Sequence, residues 1–248
     1  TKERDGYIGI EDFRGDLIRA FQKAGFIYHS EVCIWKDPVT AMQRTKAIGL
    51  LHKQVKKDSC RSRQGIADYV VTMLKPGENR EPVAGRFDHF AGDGYDAEPA
   101  TAGLKVAGRN DAEKALERYS IEVWQRYASP VWMDINQSRT LNFQAARDDN
   151  DSRHICPLQL DVIHRCLQLW SNPGDTVLSP FAGIGSEGHE AVKLGRRFLG
   201  FELKESYFRE AVKNLTRAEA EAGRRDLFLE LRSAADRAIG QRCIGHFL

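Results

Sequence analysis

The stretch Gly183-Ile184-Gly185-Ser186-Glu187-Gly188 has the form G-x-G-x-x-G. Glycine at those spacings lets the backbone enter positive φ and lets a ligand approach the main chain without meeting a Cβ. The residues before it, Thr176 to Phe181, read as a short buried strand. Those after it, Glu187 to Leu194, read as a helix closed by Gly195. A strand feeding such a turn and then a helix is the context in which the loop binds an adenosine-containing cofactor. The next candidate strand, Arg197 to Glu202, ends on a carboxylate that can accept two hydrogen bonds from a ribose diol.

Two cofactor classes use such a turn. A nicotinamide dinucleotide sets its pyrophosphate on the N-terminus of the following helix. S-Adenosylmethionine has no phosphate and needs room for a charged amino acid. The tip Ser179-Pro180-Phe181-Ala182 is a poor phosphate cradle, because proline has no N–H and phenylalanine is bulky. An apolar, aromatic tip suits adenosine and methionine beside a sulfonium.

At this point the residues resemble a known family. Val177-Leu178-Ser179-Pro180-Phe181-Ala182-Gly183-Ile184-Gly185-Ser186 is similar to the D-P-F-x-G-x-G-T motif of the amino-group DNA methyltransferases, which make N6-methyladenine or N4-methylcytosine. Arg153-His154-Ile155-Cys156-Pro157-Leu158 resembles their H-P-x-P-L segment. Leu194-Gly195-Arg196-Arg197-Phe198-Leu199-Gly200-Phe201-Glu202, with Tyr207 beyond, resembles their l-G-R-x-f-i-G-i-E…Y run. The likeness covers residues 153–212 and extends more weakly to Glu31-Val32-Cys33-Ile34-Trp35-Lys36, before the family's recognition region.

The resemblance implies S-adenosylmethionine as cofactor and double-stranded DNA as partner. It places His154, Ile155, Cys156, Pro157 and Leu158 near the methionine end. Ser179, Pro180, Phe181, Ala182, Gly183, Gly185 and Ser186 form the cofactor turn, and Glu202 with its neighbour Leu203 lies at the ribose. The implied reaction moves a methyl group to the exocyclic amine of a base flipped out of the duplex, with adenine N6 favoured on family frequency. A bacterial or phage-encoded cytoplasmic enzyme of restriction–modification type follows. A nicotinamide-dependent oxidoreductase and an inactive DNA-binding methyltransferase-like module are the alternatives.

Two departures stand out. The family's aspartate at the head of the glycine motif is Ser179 here. Either cofactor affinity is lower, or another acid such as Glu187 compensates. The catalytic tetrapeptide D/N/S-P-P-Y/F/W does not occur in these 248 residues, so the catalytic residues are unknown. In the permuted subgroup, whose cofactor motif comes last, that tetrapeptide lies N-terminal to the recognition region. Thr1 is then expected to fall just downstream of it.

The elements that must position this chemistry follow from periodicity. Phe13, Leu17, Ile18 and Phe21 predict a helix over 11–24, stopped by Gly25. Phe26 to Lys36 and Ala67 to Leu74 read as strands, and Thr40 to Leu51 as a helix. Residues 76–112 carry glycine and proline without long apolar runs and read as an irregular insert. A helix over about 111–127 fits Ala115, Leu116 and Tyr119, and Gln137 to Arg153 reads as a loop. Leu158, Val162, Ile163, Cys166, Leu167 and Trp170 line one helix face, with Pro157 in the first turn. Ser206 to Ala218 reads as a helix with Tyr207, Ala211, Val212 and Leu215 inward. Helix–strand–helix–strand–helix with short links predicts parallel strands in a doubly wound, Rossmann-like α/β fold carrying a target-recognition insert. The expected division is 1–75 as the C-terminal part of a catalytic subdomain and 76–130 as the recognition insert. Residues 131–222 are expected to bind cofactor, and 223–248 to form an extension.

Composition limits the rest. Lysine and arginine number 37 against 35 acids, a net charge of +2, so any DNA grip must come from a local patch. Lys53, Lys56, Lys57, Arg61 and Arg63, opposed only by Asp58, are the candidate phosphate contacts. The five cysteines are odd in number and form no C-x-x-C pair, which predicts reduced thiols and no zinc site. The histidines show no metal-ligand spacing, and His164 and His189 read as helix-surface or packing residues. Trp124, Trp132 and Trp170 read as core. No apolar run reaches the roughly 18 residues of a membrane span.

Overall fold

The computed structural model describes residues 2–4, 7–9, 11–45, 52–61, 67–78, 81–83, 110–142, 144–146 and 156–223. The chain divides into two compact units, one of Thr1–Pro82 with Arg86–Ile135, the other of Val83–Gly85 with Asn136–Leu248.

The first unit opens with a small hairpin. Strands β1 (Lys2–Arg4) and β2 (Tyr7–Gly9) pair antiparallel. Helix α1 (Phe13–Lys23) starts where Asp12 accepts a hydrogen bond from the Gly15 amide at 3.0 Å, and Gly25 turns the chain out at φ +91°. Strand β3 (Ile27–Ile34) is central. It pairs antiparallel with β4 (Asp68–Leu74) on one edge and parallel with β5 (Val131–Trp132) on the other. Helix α2 (Pro38–Thr45) begins at a proline, and the Asp37 carboxylate accepts from the Val39 and Thr40 amides and the Thr40 hydroxyl. The Thr40 hydroxyl and amide hold the Asp37 carboxyl below its usual range. Helix α3 (His52–Lys57) runs into a 3₁₀ turn, Ser59–Arg61. Helix α4 (Asp111–Tyr127) leads to β5. Trp132 is 1% exposed, and its indole N–H donates to the Tyr127 carbonyl at 3.1 Å.

The second unit builds the platform of the glycine turn. Helix α5 (Leu160–Trp170), strand β6 (Thr176–Ser179), helix α6 (Ser186–Lys193), strand β7 (Arg197–Gly200) and helix α7 (205–223) follow one another with short links. β6 and β7 are adjacent and parallel, from Thr176 opposite Arg197 to Ser179 opposite Gly200. Leu141, Ala146, Leu160, Ile163, Leu167, Ile184 and Ala191 form the core, with Val177, Leu194, Phe198 and Tyr207 packed against it. Arg196 fastens the base. Its guanidinium donates to the Leu194 carbonyl at 2.6 Å, the Ser171 carbonyl at 2.7 Å and the Ser171 hydroxyl at 3.2 Å. The C-terminal ends of α5 and α6 therefore lie side by side, at the end of the sheet away from the glycine turn.

Several expectations need correction. The strand expected over 176–181 stops at Ser179, because proline at 180 cannot extend a ladder. Its side chains alternate between faces, so Leu178 is 60% exposed rather than buried. Pro157 precedes the N-cap, Gln159, instead of sitting in the first turn of α5. Val212 faces outward, while Ala211, Asn214 and Ala218 are buried at helical spacing. Trp124 and Trp170 are not core; both are exposed. On α4 the inward stripe is Val123 and Tyr127, which leaves Trp124 beside it. The apolar stripe of α1 exists, but none of that helix is buried. The side chains of residues 115 and 116 lie outside the described residues, as do residues 46–51 of the helix expected over 40–51.

Candidate functional site

The turn after β6 is held from three sides. Pairing continues past the strands, with the Phe201 amide donating to the Ser179 carbonyl and the Ala182 amide to the Phe201 carbonyl, both at 2.9 Å. The Gly185 amide then closes a tight turn onto the Ala182 carbonyl at 2.8 Å. From α7, the buried Asn214 amide donates to the Ile184 carbonyl at 2.9 Å. From the end of β7, Glu202 accepts from the Gly183 amide at 2.9 Å and from the Lys204 amide at 2.8 Å. One carboxylate thus ties the glycine turn to the neighbouring strand end, and each oxygen keeps acceptor capacity.

The three glycines of the motif answer to different constraints. Gly183 has φ +53°, and a Cβ there would meet nothing within 4 Å, so the turn is open on that side. Gly185 has φ +84°, and a Cβ there would lie 2.8 Å from Leu215 and 3.1 Å from Ala211 of α7. Gly188 sits over the Phe198 ring, which a Cβ would meet at 2.6 Å. Only Gly183 leaves room for a ligand. The other two let the flanking helices close on the sheet.

Around this turn the C-terminal ends of β6 and β7 present apolar surface. Phe181 is 85% exposed, Leu203 is fully exposed, and Phe201 projects from the same end. Ser179, Ala182 and Ser186 are buried, and Pro180 is exposed. Cys156 and Leu158 are exposed and Pro157 is half-buried, in the segment that enters α5. His154 and Ile155 lie outside the described residues. The Lys204 ammonium stands 4.5 Å from the centre of the Tyr207 ring.

Behind the turn lies a polar cluster that links α5 to α6. Glu190, 2% exposed, accepts from His164 Nδ1 at 3.0 Å and from His189 Nδ1 at 3.3 Å. The Gln168 side-chain amide reaches His164 Nε2 at 3.1 Å. Burial pushes the Glu190 carboxyl up, but the histidine hydrogen bonds outweigh it and bring it down to about 2. His189 is thus a buried hydrogen-bonding residue, and His164 is bound into the same cluster. Sequence reasoning also missed Asn214; its signal was the i, i+3, i+7 placement with Ala211 and Ala218.

The candidate phosphate contacts belong to the first unit. Lys53, Lys56 and Lys57 are exposed together on α3. Arg61 is in the 3₁₀ turn, its side chain outside the described ones, and Arg63 lies outside the described residues altogether. Among the described residues no group of three metal-ligating side chains occurs, and Cys33, Cys60, Cys156 and Cys166 are free thiols. No helix among them is long and apolar enough to cross a membrane.

Residues 6–213 match the family described as DNA methylase, of the N6/N4 type. The type II methyltransferase M1.MboII of Moraxella bovis is 41% identical over 58 residues, 23% of this chain and 22% of that protein. The DNA adenine methyltransferase YhdJ of Escherichia coli K12 is 39% identical over 54 residues, 22% of this chain and 18% of that protein. The matched segments thus take in well under two thirds of either relative. Among solved structures, a DNA modification methylase of Thermus thermophilus, complexed with S-adenosyl-L-methionine, superposes with a TM-score of 0.52 at 20% identity. That match covers 87% of this chain and 64% of that one. At this identity the likeness concerns architecture, and it makes the fold the Rossmann-like methyltransferase α/β fold. With the family match spanning most of its length, the chain belongs to the N6/N4 DNA methylase family.

Proposed function

We propose that the second unit binds S-adenosylmethionine at the glycine turn, and that the protein serves methyl transfer to an exocyclic amine of double-stranded DNA, adenine N6 in the first instance. The observation that carries this reading is the Glu202 carboxylate joined to the Gly183 amide across adjacent parallel strands. It sets an acceptor for a ribose diol beside a backbone turn that is open to a ligand. The exposed Phe181, Phe201 and Leu203 suit the flat apolar faces of an adenine. Pro180 removes one of the N–H groups that a pyrophosphate would need. The segment Cys156-Pro157-Leu158, leading into α5, serves the methionine end together with His154 and Ile155.

The cofactor supplies an electrophilic methyl on a sulfonium, with a neutral thioether as leaving group. This chain's residues bind and orient. Glu202 fixes the ribose, Asn214 and Gly185 fix the turn, and the apolar tip keeps water from the adenine. The target base is turned out of the duplex, because its amine is otherwise paired inside the stack. Lys53, Lys56, Lys57, Arg61 and Arg63 contact phosphate and set register without reading sequence. Residues 76–130 serve target recognition, residues 1–75 belong to the catalytic side, and residues 131–222 hold the cofactor. Isothermal titration with S-adenosylhomocysteine and with NAD tests the binding step. Saturable binding of the former alone is expected, and binding of NAD alone overturns the reading. Nucleoside analysis of methylated DNA decides between adenine N6 and cytosine N4.

A further inference from the structure

We infer that Glu187 is the counter-charge for the ammonium group of the cofactor's amino acid; this rests on the S-adenosylmethionine reading above. The ligand brings a primary ammonium and a sulfonium, so a site that holds it gains from a carboxylate near its amino-acid end.

The topology puts Glu187 at the right end of the unit. Arg196 pins the C-terminal ends of α5 and α6 together, and His164 meets Glu190 midway along both helices. The two helices are therefore parallel, and their N-termini open together at the end of the sheet that carries the glycine turn. Glu187 lies one turn before Glu190 on α6, in that helix's first turn. By the same offset it stands level with the first turn of α5, just after the segment Cys156-Pro157-Leu158. Glu190 and Ala191, one turn further on, are both buried, so Glu187 occupies the inward side of α6 at its mouth end.

Among the described residues, the other acids at this end are committed. Glu202 holds the Gly183 and Lys204 amides. Asp161 holds the Arg139 guanidinium at 2.7 Å and the Asn136 amide at 2.9 Å. Glu190 lies between two histidines, and Glu205 pairs with Arg209. Ser179 can offer a hydroxyl but no charge. The Glu187 side chain has no ion pair or hydrogen-bond partner among the described residues beyond its own backbone amide. It is half-buried, and that desolvation holds its carboxyl above the usual range. A desolvated acid without a cation is stabilised by the arrival of one.

The test uses the 248-residue chain and three thioether nucleosides: S-adenosylhomocysteine, its des-amino analogue with hydrogen in place of the amine, and 5′-methylthioadenosine, which lacks the whole amino acid. The wild-type chain is expected to prefer S-adenosylhomocysteine to the des-amino compound by about ten-fold to a hundred-fold, the range of one charge-assisted contact. Glu187→Gln should reduce that preference to about threefold or less, and should leave methylthioadenosine affinity unchanged. Glu187→Asp, which keeps the charge, should retain part of the preference; it also serves if the glutamine variant does not fold. Full retention of the preference in Glu187→Gln overturns the assignment, as does equal binding of both compounds by the wild type. If none of the three binds the wild type, the cofactor reading itself falls, and the Glu187 assignment falls with it.

Discussion

Replacing Glu190 by glutamine should weaken the second unit in a way that depends on pH. An ionised Glu190 only accepts, so both histidines must present Nδ1–H to it. Gln168 fixes this for His164 by donating to Nε2. Glutamine keeps the shape of glutamate but offers one acceptor and one donor. His164 is held in its tautomer by Gln168, so His189 must either face an N–H inside the core or shift its proton to Nε2, at a cost of about 1–3 kcal/mol. The pH dependence follows from the carboxyl being held at about 2 against the ordinary 4.5. A depressed value in the folded state stabilises the protein above the unfolded value and is lost as pH falls. The full contribution is about 3 kcal/mol, and roughly 2 kcal/mol of it is lost by pH 3. Urea unfolding of wild type and Glu190→Gln at pH 7, 5 and 3 measures this. The gap in stability should be widest at pH 7 and should shrink toward pH 3. A gap below about 0.5 kcal/mol at pH 7, or one that does not narrow in acid, refutes the account of this cluster.

Arg196→Ala should cost about 1–3 kcal/mol by stripping the carbonyls at the ends of α5 and α6, and Arg196→Lys should recover little, because one ammonium cannot span them. Calorimetry should show a drop of several degrees; an unchanged melting temperature counts against the staple. Gly188→Ala should destabilise by about 1–3 kcal/mol despite alanine's better helix propensity, since its Cβ would lie 2.6 Å from the Phe198 ring. Adding Phe198→Leu should relieve part of that cost, and strict additivity in thermal melts would show that the two do not meet. Lys56→Glu should weaken binding to cognate and scrambled duplexes alike and flatten the log–log salt slope by about 0.9 per lost phosphate contact. Anisotropy across a salt series measures it, and an unchanged slope makes α3 a merely solvated helix.

How far the sequence reveals this fold depends on what each residue reports. The short apolar run before the glycine turn, the turn itself and the 3.6 periodicity of α5 are local, so the parallel pair and its helices are legible, although which strand residues are buried is not. Burial is not local. Trp124 and Trp170 have the size of core residues, yet they sit beside the inward stripes of their helices, where Val123 and Leu167 take the buried positions. The same holds for Phe13, Leu17 and Phe21, whose spacing announces a helix but cannot say what covers it. The hairpin of β1 and β2 left no recognisable pattern, because its strands are three residues each.

The glycine motif shows the same division within a single site. Its match to G-x-G-x-x-G is visible in one dimension, and so is the acid at the end of the next strand. What the three glycines do is not visible, because their constraints come from elsewhere in the chain. Gly185 is required by Leu215 and Ala211 on a helix that begins twenty residues later, and Gly188 by a ring on the neighbouring strand. Glu202 illustrates the converse. Read alone, it is a ribose acceptor; in the fold it first holds the turn, through the Gly183 amide, and only its remaining lone pairs are left for a ligand. A carboxylate with both duties couples the shape of the turn to the state of the site. Removing it would therefore disturb the turn together with ligand binding, whereas Glu187 carries no described backbone partner beyond its own amide. Substitution at Glu187 can thus report on the ligand's charge with little disturbance of the loop, a separation that no substitution at Glu202 can provide.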